Sequence, residues 1–171
     1  MSEEDRIFLA LGSNLDDRLL NLKNGIKMLN NHPHIWVLKT SYIYKTEPMY
    51  NTNQNNFFNM VIEIDTNLIP QDLLVEIKKI EKLNGRNHSV VKNMPRTLDI
   101  DIIAIGKLEI NNKTLNVPHE KILERKFVLK PWADIADTFK LIHYNLTVKE
   151  LLELSPDSSE LRLILDNEGL L

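Results

Sequence analysis

Asp99 and Asp101 stand two residues apart in the stretch P-R-T-L-D-I-D-I-I-A-I-G, residues 95–106, among Leu98, Ile100, Ile102, Ile103 and Ile105. Aliphatic and β-branched residues at that density, closed by Gly106, predict a strand. Side chains two apart on a strand share a face at a separation of about 6.5–7 Å, so both carboxylates project together. Their repulsion is about 2.5 kcal/mol at an effective dielectric of about 20, and an otherwise apolar strand adds a desolvation cost. A bound cation relieves both. With no cysteine and no H-x-x-x-H pair alongside, the carboxylates suit a hard ion. Mg2+, which takes one or two carboxylates plus substrate phosphates, fits better than Zn2+. The plainer alternative is an edge strand whose aspartates face water. The four apolar residues after Asp101 argue instead for a strand that enters a core covered on both faces.

Other side chains extend this chemistry. Between Lys78 and Arg96 stand six Lys/Arg, at 78, 79, 82, 86, 92 and 96, against one acid, Glu81. A polyanion that carries magnesium, such as a nucleoside triphosphate, satisfies both this local positive field and the carboxylate pair. A solvated helix face accounts equally well for Lys78, Lys79 and Lys82, but not for the basic connection beside the aspartates. Asn59 interrupts an apolar strand pattern, and its amide needs partners, either backbone or a polar heterocycle. Arg125 and Phe127, two apart, could present a cation and a ring to one site. Glu81 falls on the border of its helix's apolar stripe and points either inward, where it needs a partner, or outward to water. His119, after a proline, reads as a structural histidine sooner than as a ligand.

The elements that must hold these groups follow in order. Ile7 to Leu11 is a buried strand closed by Gly12-Ser13-Asn14, and Asp16 or Asp17 caps a helix over Arg18 to Asn30, with Leu19, Leu22, Ile26 and Leu29 at helical spacing. Ile35 to Tyr44 and Phe57 to Asp65 read as strands. The polar connection between them exceeds a usual hairpin loop, and most of Tyr50 to Asn56 reads as a solvated surface loop. A second helix runs from Pro70 to Asn84, with Pro70 in its first turn and Gly85 past its end. After the aspartate strand come a turn with a short strand over Lys107 to Asn116, a short helix near E-K-I-L-E-R, an apolar segment around Phe127 to Ile135, and a tail with no functional signal. The order strand, helix, strand, strand, helix, strand is the ferredoxin-like arrangement, an α+β sandwich with helices on one face of a mostly antiparallel sheet.

Composition sets the outer limits. The 171 residues are 43% hydrophobic and 26% charged, which predicts one domain with a substantial core. There is no cysteine, so no disulfide, thiolate nucleophile or cysteine zinc site is available. A net charge of −3 argues against a general nucleic-acid or membrane-surface binder. The acidic start M-S-E-E-D-R does not read as a signal peptide, and a cytoplasmic location is the default expectation. Neither G-x-x-x-x-G-K-[ST] nor G-x-G-x-x-G occurs, so side chains and a metal must hold any phosphates.

Five motifs in sequence order carry a resemblance: A-L-G-S-N-L, then Y-K-T-E-P at 44–48, P-R-T-L-D-I-D-I-I, V-P-H followed by R-K-F, and P-W-A-D-I-A. From about Ile7 to Ala136 the chain resembles the 6-hydroxymethyl-7,8-dihydropterin pyrophosphokinases of folate synthesis. The resemblance implies transfer of the β,γ-diphosphate of ATP to the hydroxymethyl group of the reduced pterin, releasing AMP, with two Mg2+ ions. It implies that Asp99 and Asp101 hold the ions and that Arg86 and Arg96 contact or close over phosphates. It puts Glu81, Ile102, Asn116, His119 and Arg125 around the nucleotide, and Thr46, Met49, Phe57, Asn59 and Phe127 around the pterin. It also implies a monomer unless the chain is joined to dihydropteroate synthase. Asn93, Met94, Lys78, Thr114 and Glu120 depart from the usual pattern. The same aspartate pair would also serve a metal-dependent phosphohydrolase or a non-catalytic nucleotide sensor.

Overall fold

The computed structural model describes residues 6–49, 53–85 and 94–165. Strand β1 (Ile7–Ser13) leads through a tight turn into helix α1 (Arg18–Asn30). Asp17 caps that helix, its carboxylate accepting the Leu20 N–H at 3.0 Å. The run predicted as one strand from Ile35 to Tyr44 is two, β2 (Ile35–Thr40) and β3 (Ile43–Thr46). Ser41 makes the break. Its hydroxyl accepts the Val61 N–H at 2.9 Å, while its own N–H donates to the Val61 carbonyl at 2.9 Å. Strand β4 (Phe57–Thr66) is long enough to pair with β2 at one end and β3 at the other. Helix α2 (Pro70–Leu83) starts on its proline, and Gly85 beyond it takes φ +89°, a conformation that costs any residue with a Cβ. Strand β5 (Asp99–Ile105) closes the core.

The strands lie in the order β3-β4-β1-β5, every pair antiparallel, with α1 and α2 on one face, which is the expected ferredoxin-like βαββαβ core. The βαββαβ core carries its helices on one face, as expected, and the C-terminal extension covers the other. After the β6 (Ile110–Asn111) and β7 (Asn116–Val117) hairpin come a 3-10 turn at Ile122–Glu124 and helix α3 (Lys126–Ala136). The β8 (Lys140–Leu141) and β9 (Leu146–Thr147) hairpin and helix α4 (Val148–Leu154) follow, and β10 (Arg162–Leu165) adds a strand beside β3. Helices α3 and α4 pack on the second face, giving three layers.

The period of two divides the core accordingly. Leu9, Leu11, Ile62 and Ile100 point toward α1 and α2, and Phe8, Val61 and Ile103 toward α3 and α4. Phe8, Trp132 and Phe139 form the densest part of the second half, with ring centroids 4.8–5.8 Å apart. Rings at such spacing contribute about 0.5–1.5 kcal/mol per pair beyond their burial. Among the described residues no helix is long and apolar enough to cross a membrane.

Candidate active site

The face of the sheet under α3 is covered at one end only. Phe8, Val61 and Ile103 lie beneath the helices, whereas Gly12, Asn59, Asp99 and Asp101, further along the same face of the same strands, border with Thr46 of β3 an open cleft of about 120 Å³. Strand alternation therefore makes one face serve as core at one end and as site at the other.

One side of the cleft is aromatic and amide-bearing. Phe57, Met49 and Phe127 line it with Thr46 and Asn59. Asn59 is buried, and its amide donates to the Thr46 hydroxyl at 2.7 Å. Its carbonyl oxygen lies against Gly12, where a Cβ would stand only 2.8 Å away, so the absence of a side chain at Gly12 is what gives this amide its place.

The other side is charged. Arg96 Nη1 donates to Asp99 Oδ2, and Arg125 Nη1 donates to Asp101 Oδ2 at 3.3 Å. Each aspartate thus has an arginine of its own, which answers the repulsion expected of the pair without a metal. Each arginine also sits 5.8 Å from a ring of the opposite side, Arg96 from Phe57 and Arg125 from Phe127. The buried Nε of Arg125 has no hydrogen-bond partner among the described residues. His119 adjoins Arg125 and Asp101. Burial, with Arg125 beside it, pushes its imidazole below the ordinary range, against the opposing pull of Asp101 and Glu120.

The profile of the family described as "7,8-dihydro-6-hydroxymethylpterin-pyrophosphokinase (HPPK)" matches residues 8–137. The chain belongs to that family. It is 41% identical over 128 residues to the 2-amino-4-hydroxy-6-hydroxymethyldihydropteridine pyrophosphokinase of Bacillus subtilis, covering 75% of this chain and 76% of that one. Against the mitochondrial folate synthesis bifunctional protein of Pisum sativum it is 38% identical over 137 residues, covering 80% of this chain but 26% of that protein. The chain thus spans about a quarter of the length of this longer relative. A crystal structure of Plasmodium falciparum HPPK-DHPS with pterin and p-hydroxybenzoate shares the fold. Its TM-score is 0.65 at 17% identity, over 90% of this chain and 42% of that one.

Of the site residues expected from the sequence, Thr46, Met49, Phe57, Asn59, Arg96, Asp99, Asp101, Arg125 and Phe127 all line the one cleft. Glu81 and Ile102 do not. Ile102 faces the α1–α2 core, and Glu81 is fully buried, its Oε1 accepting the Ile100 N–H at 2.7 Å and the Lys78 ammonium at 3.0 Å. The inward alternative for Glu81 is the one observed. Asn116 lies on β7, with its side-chain oxygen buried and without a hydrogen-bond partner among the described residues. Arg86 and Asn93 lie outside the described residues.

Two expectations change. Lys78 is bound to Glu81 and Lys79 to Glu76, so α2 contributes less free positive charge than the sequence count indicates. The stretch read as a solvated Asn-rich loop is, over Gln54 to Asn56, part of the wall. Asn14 donates to Gln54 Oε1 and to the Asn55 carbonyl, Arg18 donates to the Asn56 carbonyl, and Gln54 lines the cleft. Nothing in the spacing of these residues signals it, because the partners are some forty positions away. Two carboxylates on one strand face offer hard oxygen donors of the kind Mg2+ takes. Among the described residues no third His, Cys, Asp or Glu joins them in a cluster, so the donor set fits an ion whose other ligands are phosphate and water.

Proposed function

We propose that the chain transfers diphosphate from ATP to 6-hydroxymethyl-7,8-dihydropterin, giving AMP and the pterin methyl diphosphate, as one pyrophosphokinase domain that works alone or as part of a longer folate-synthesis protein. The observation that carries this reading is the sharing of one cleft by a ring-and-amide side and an aspartate–arginine side. The pterin would lie between Phe57 and Phe127, with Asn59 and Thr46 at its amide edge and Met49 over it. Its hydroxymethyl group would then face Asp99 and Asp101.

There the hydroxymethyl oxygen forms a bond to Pβ and gives up its proton to solvent as the bond from Pβ to the oxygen bridging Pα breaks, and AMP leaves. Asp99 and Asp101 would hold Mg2+, two ions by family resemblance, which when bound neutralises the charge on the transferring group. The arginines that pair with the aspartates, Arg96 and Arg125 with its spare Nε, are the groups best placed to turn to phosphate oxygens, a role that the resemblance also gives to Arg86. His119, Asn116, Glu81 and Ile102 are assigned to the nucleotide end, Glu81 through the strand it holds. The protein's part is positioning and electrostatic complementarity, with no covalent intermediate. A cytoplasmic setting suits substrates of this kind.

Product analysis tests the reading. Incubation with ATP and Mg2+ should give AMP only when the pterin is present, with one pterin diphosphate formed per AMP. AMP formed without pterin would make the chain a phosphohydrolase, and no AMP under either condition would make it a nucleotide-binding sensor.

A further inference from the structure

Asn14, the residue after β1, is fully buried and does not itself border the cleft, yet both ends of its side-chain amide and its backbone N–H are tied to a cleft wall. Its Oδ1 accepts the Arg96 N–H at 2.8 Å, and its backbone N–H donates to the Arg96 carbonyl at 3.1 Å. These two bonds join the chain just past β1 to the chain just ahead of β5, beyond the Gly12–Asp99 pair and out of its register, and fix the main chain from which the Arg96 side chain reaches Asp99. The Nδ2 group donates to Gln54 Oε1 at 3.0 Å and to the Asn55 carbonyl at 3.3 Å, on the opposite wall.

A primary amide has two donor hydrogens and one acceptor oxygen, and here they are divided between two segments 40 and 82 positions away in sequence. A turn needing only local satisfaction would spend its side chain on its own backbone, as Asp17 does with Leu20 three residues on. Serine is too short to reach both walls, and aspartate has no donor for Gln54. The Gln54–Asn56 wall has a second tether: Arg18 Nη1 donates to the Asn56 carbonyl at 2.9 Å, and its guanidinium lies 4.1 Å from the centre of the Phe58 ring. Truncation of the Asn14 side chain therefore leaves each segment one tether, Arg18 on the Asn56 carbonyl and the Asn14 N–H on the Arg96 carbonyl, and frees the Arg96 N–H while uncoupling the two segments from each other.

We infer that Asn14 is a positioning residue for diphosphoryl transfer, acting through Arg96 by holding its main chain in register with the Gln54 wall. The inference rests on the function proposed above, and a double-mutant cycle in single-turnover kinetics tests it. Asn14→Ala should slow the transfer step by about tenfold or more, while the dissociation constants of the pterin and of Mg-ATP change by less than about threefold. In an Arg96→Ala background the same substitution should cost less than about threefold, because the group it positions is gone. Equal losses in both backgrounds, or a loss confined to the dissociation constants, would overturn the inference.

Should Asn14→Ala fail to fold, Gln54→Ala removes the anchor at the other end of the amide and is measured in the same two backgrounds. Losing the same factor in both, or losing none in the wild-type background, overturns the inference equally. Wild-type protein that makes AMP with pterin while the cycle is additive rejects the role of Asn14 alone. Wild-type protein that makes none rejects the functional reading and this role with it.

Discussion

Neutralising Asp99 or Asp101 should remove catalysis and leave the fold nearly untouched. The two carboxylates share a strand face at about 6.6 Å, so converting one to an amide releases at most about 2.5 kcal/mol of repulsion at an effective dielectric of about 20, and less where each is already paired with its arginine and open to solvent. Against this stands the loss of one ion pair, Arg96–Asp99 or Arg125–Asp101. The Asp99 side chain is 21% exposed and that of Asp101 39%, so solvent screens both pairs, and each contributes about 1 kcal/mol or less. The Arg125–Asp101 pair, longer and more exposed, contributes less. The opposing effects leave a net change within about 2 kcal/mol, which in a chain of this size moves Tm by no more than about 4–8 °C. On the function proposed above catalysis has no such compensation: the ion that would neutralise the transferring group loses a ligand, and turnover should fall by several orders of magnitude. Calorimetric melts of Asp99→Asn and Asp101→Asn in magnesium-free buffer, with chromatographic assay of AMP made in the presence of pterin, give both quantities. Near-normal AMP, or a melt lowered far beyond that range, would show that the pair is structural, with each aspartate needed to satisfy its arginine.

Phe127→Ala should weaken pterin binding by roughly 1–3 kcal/mol through lost stacking and burial and leave ATP binding almost unchanged, which calorimetry with each ligand separately will show. Gly12→Ala puts a Cβ 2.8 Å from the Asn59 carbonyl. It should displace that amide and impair pterin binding more than it lowers Tm, and the two measurements side by side check the order. Burial pushes the Glu63 carboxyl up, but the hydrogen bonds and charge of Arg6, with Lys39 beside them, outweigh it and hold the group below its ordinary 4.5. A carboxyl lowered by folding stabilises the protein above the unfolded value, and that contribution disappears as the pH falls below about 4.5 through the folded value. The advantage of wild type over Glu63→Gln in urea melts should therefore narrow on acidification, and a gap constant from neutral to strongly acid pH would contradict the sign.

The parts of this molecule that follow local rules were legible in its sequence. Asp17, Pro70 and Gly85 mark helix ends by their own backbone chemistry, and the period of two in D-I-D puts both carboxylates on one face whatever lies around them. The break at Ser41 was not legible, because it depends on a hydroxyl replacing a ladder acceptor for Val61 across the sheet, inside a run of strand-forming residues without glycine or proline. Helix α3 was hidden by Pro131, which argues against a helix unless surrounding packing, here Trp132 against Phe8 and Phe139, holds the turn regardless. Asn14 and Gln54 stayed silent for a similar reason: a polar residue in a turn looks solvated until its distant partners arrive. The side of Glu81's helix border that faces inward was likewise decided by Ile100, on another element.

That contact has a bearing on how the protein behaves in company. β5 is the last strand on its side of the sheet, and its outer rim would ordinarily show bare N–H and C=O groups to any passing extended chain. At Ile100, Glu81 takes the N–H and Lys78 reaches the carbonyl at 3.4 Å, so two side chains of α2 imitate a neighbouring strand for the length of one residue. The imitation sits between the two aspartates, in a stretch rich in isoleucine. A stretch of this composition is the kind that seeds intermolecular β-pairing when its rim is open. The helix that braces the aspartate-bearing strand thereby also occupies this rim at Ile100, so the cleft can sit at a border of the sheet that is less adhesive there.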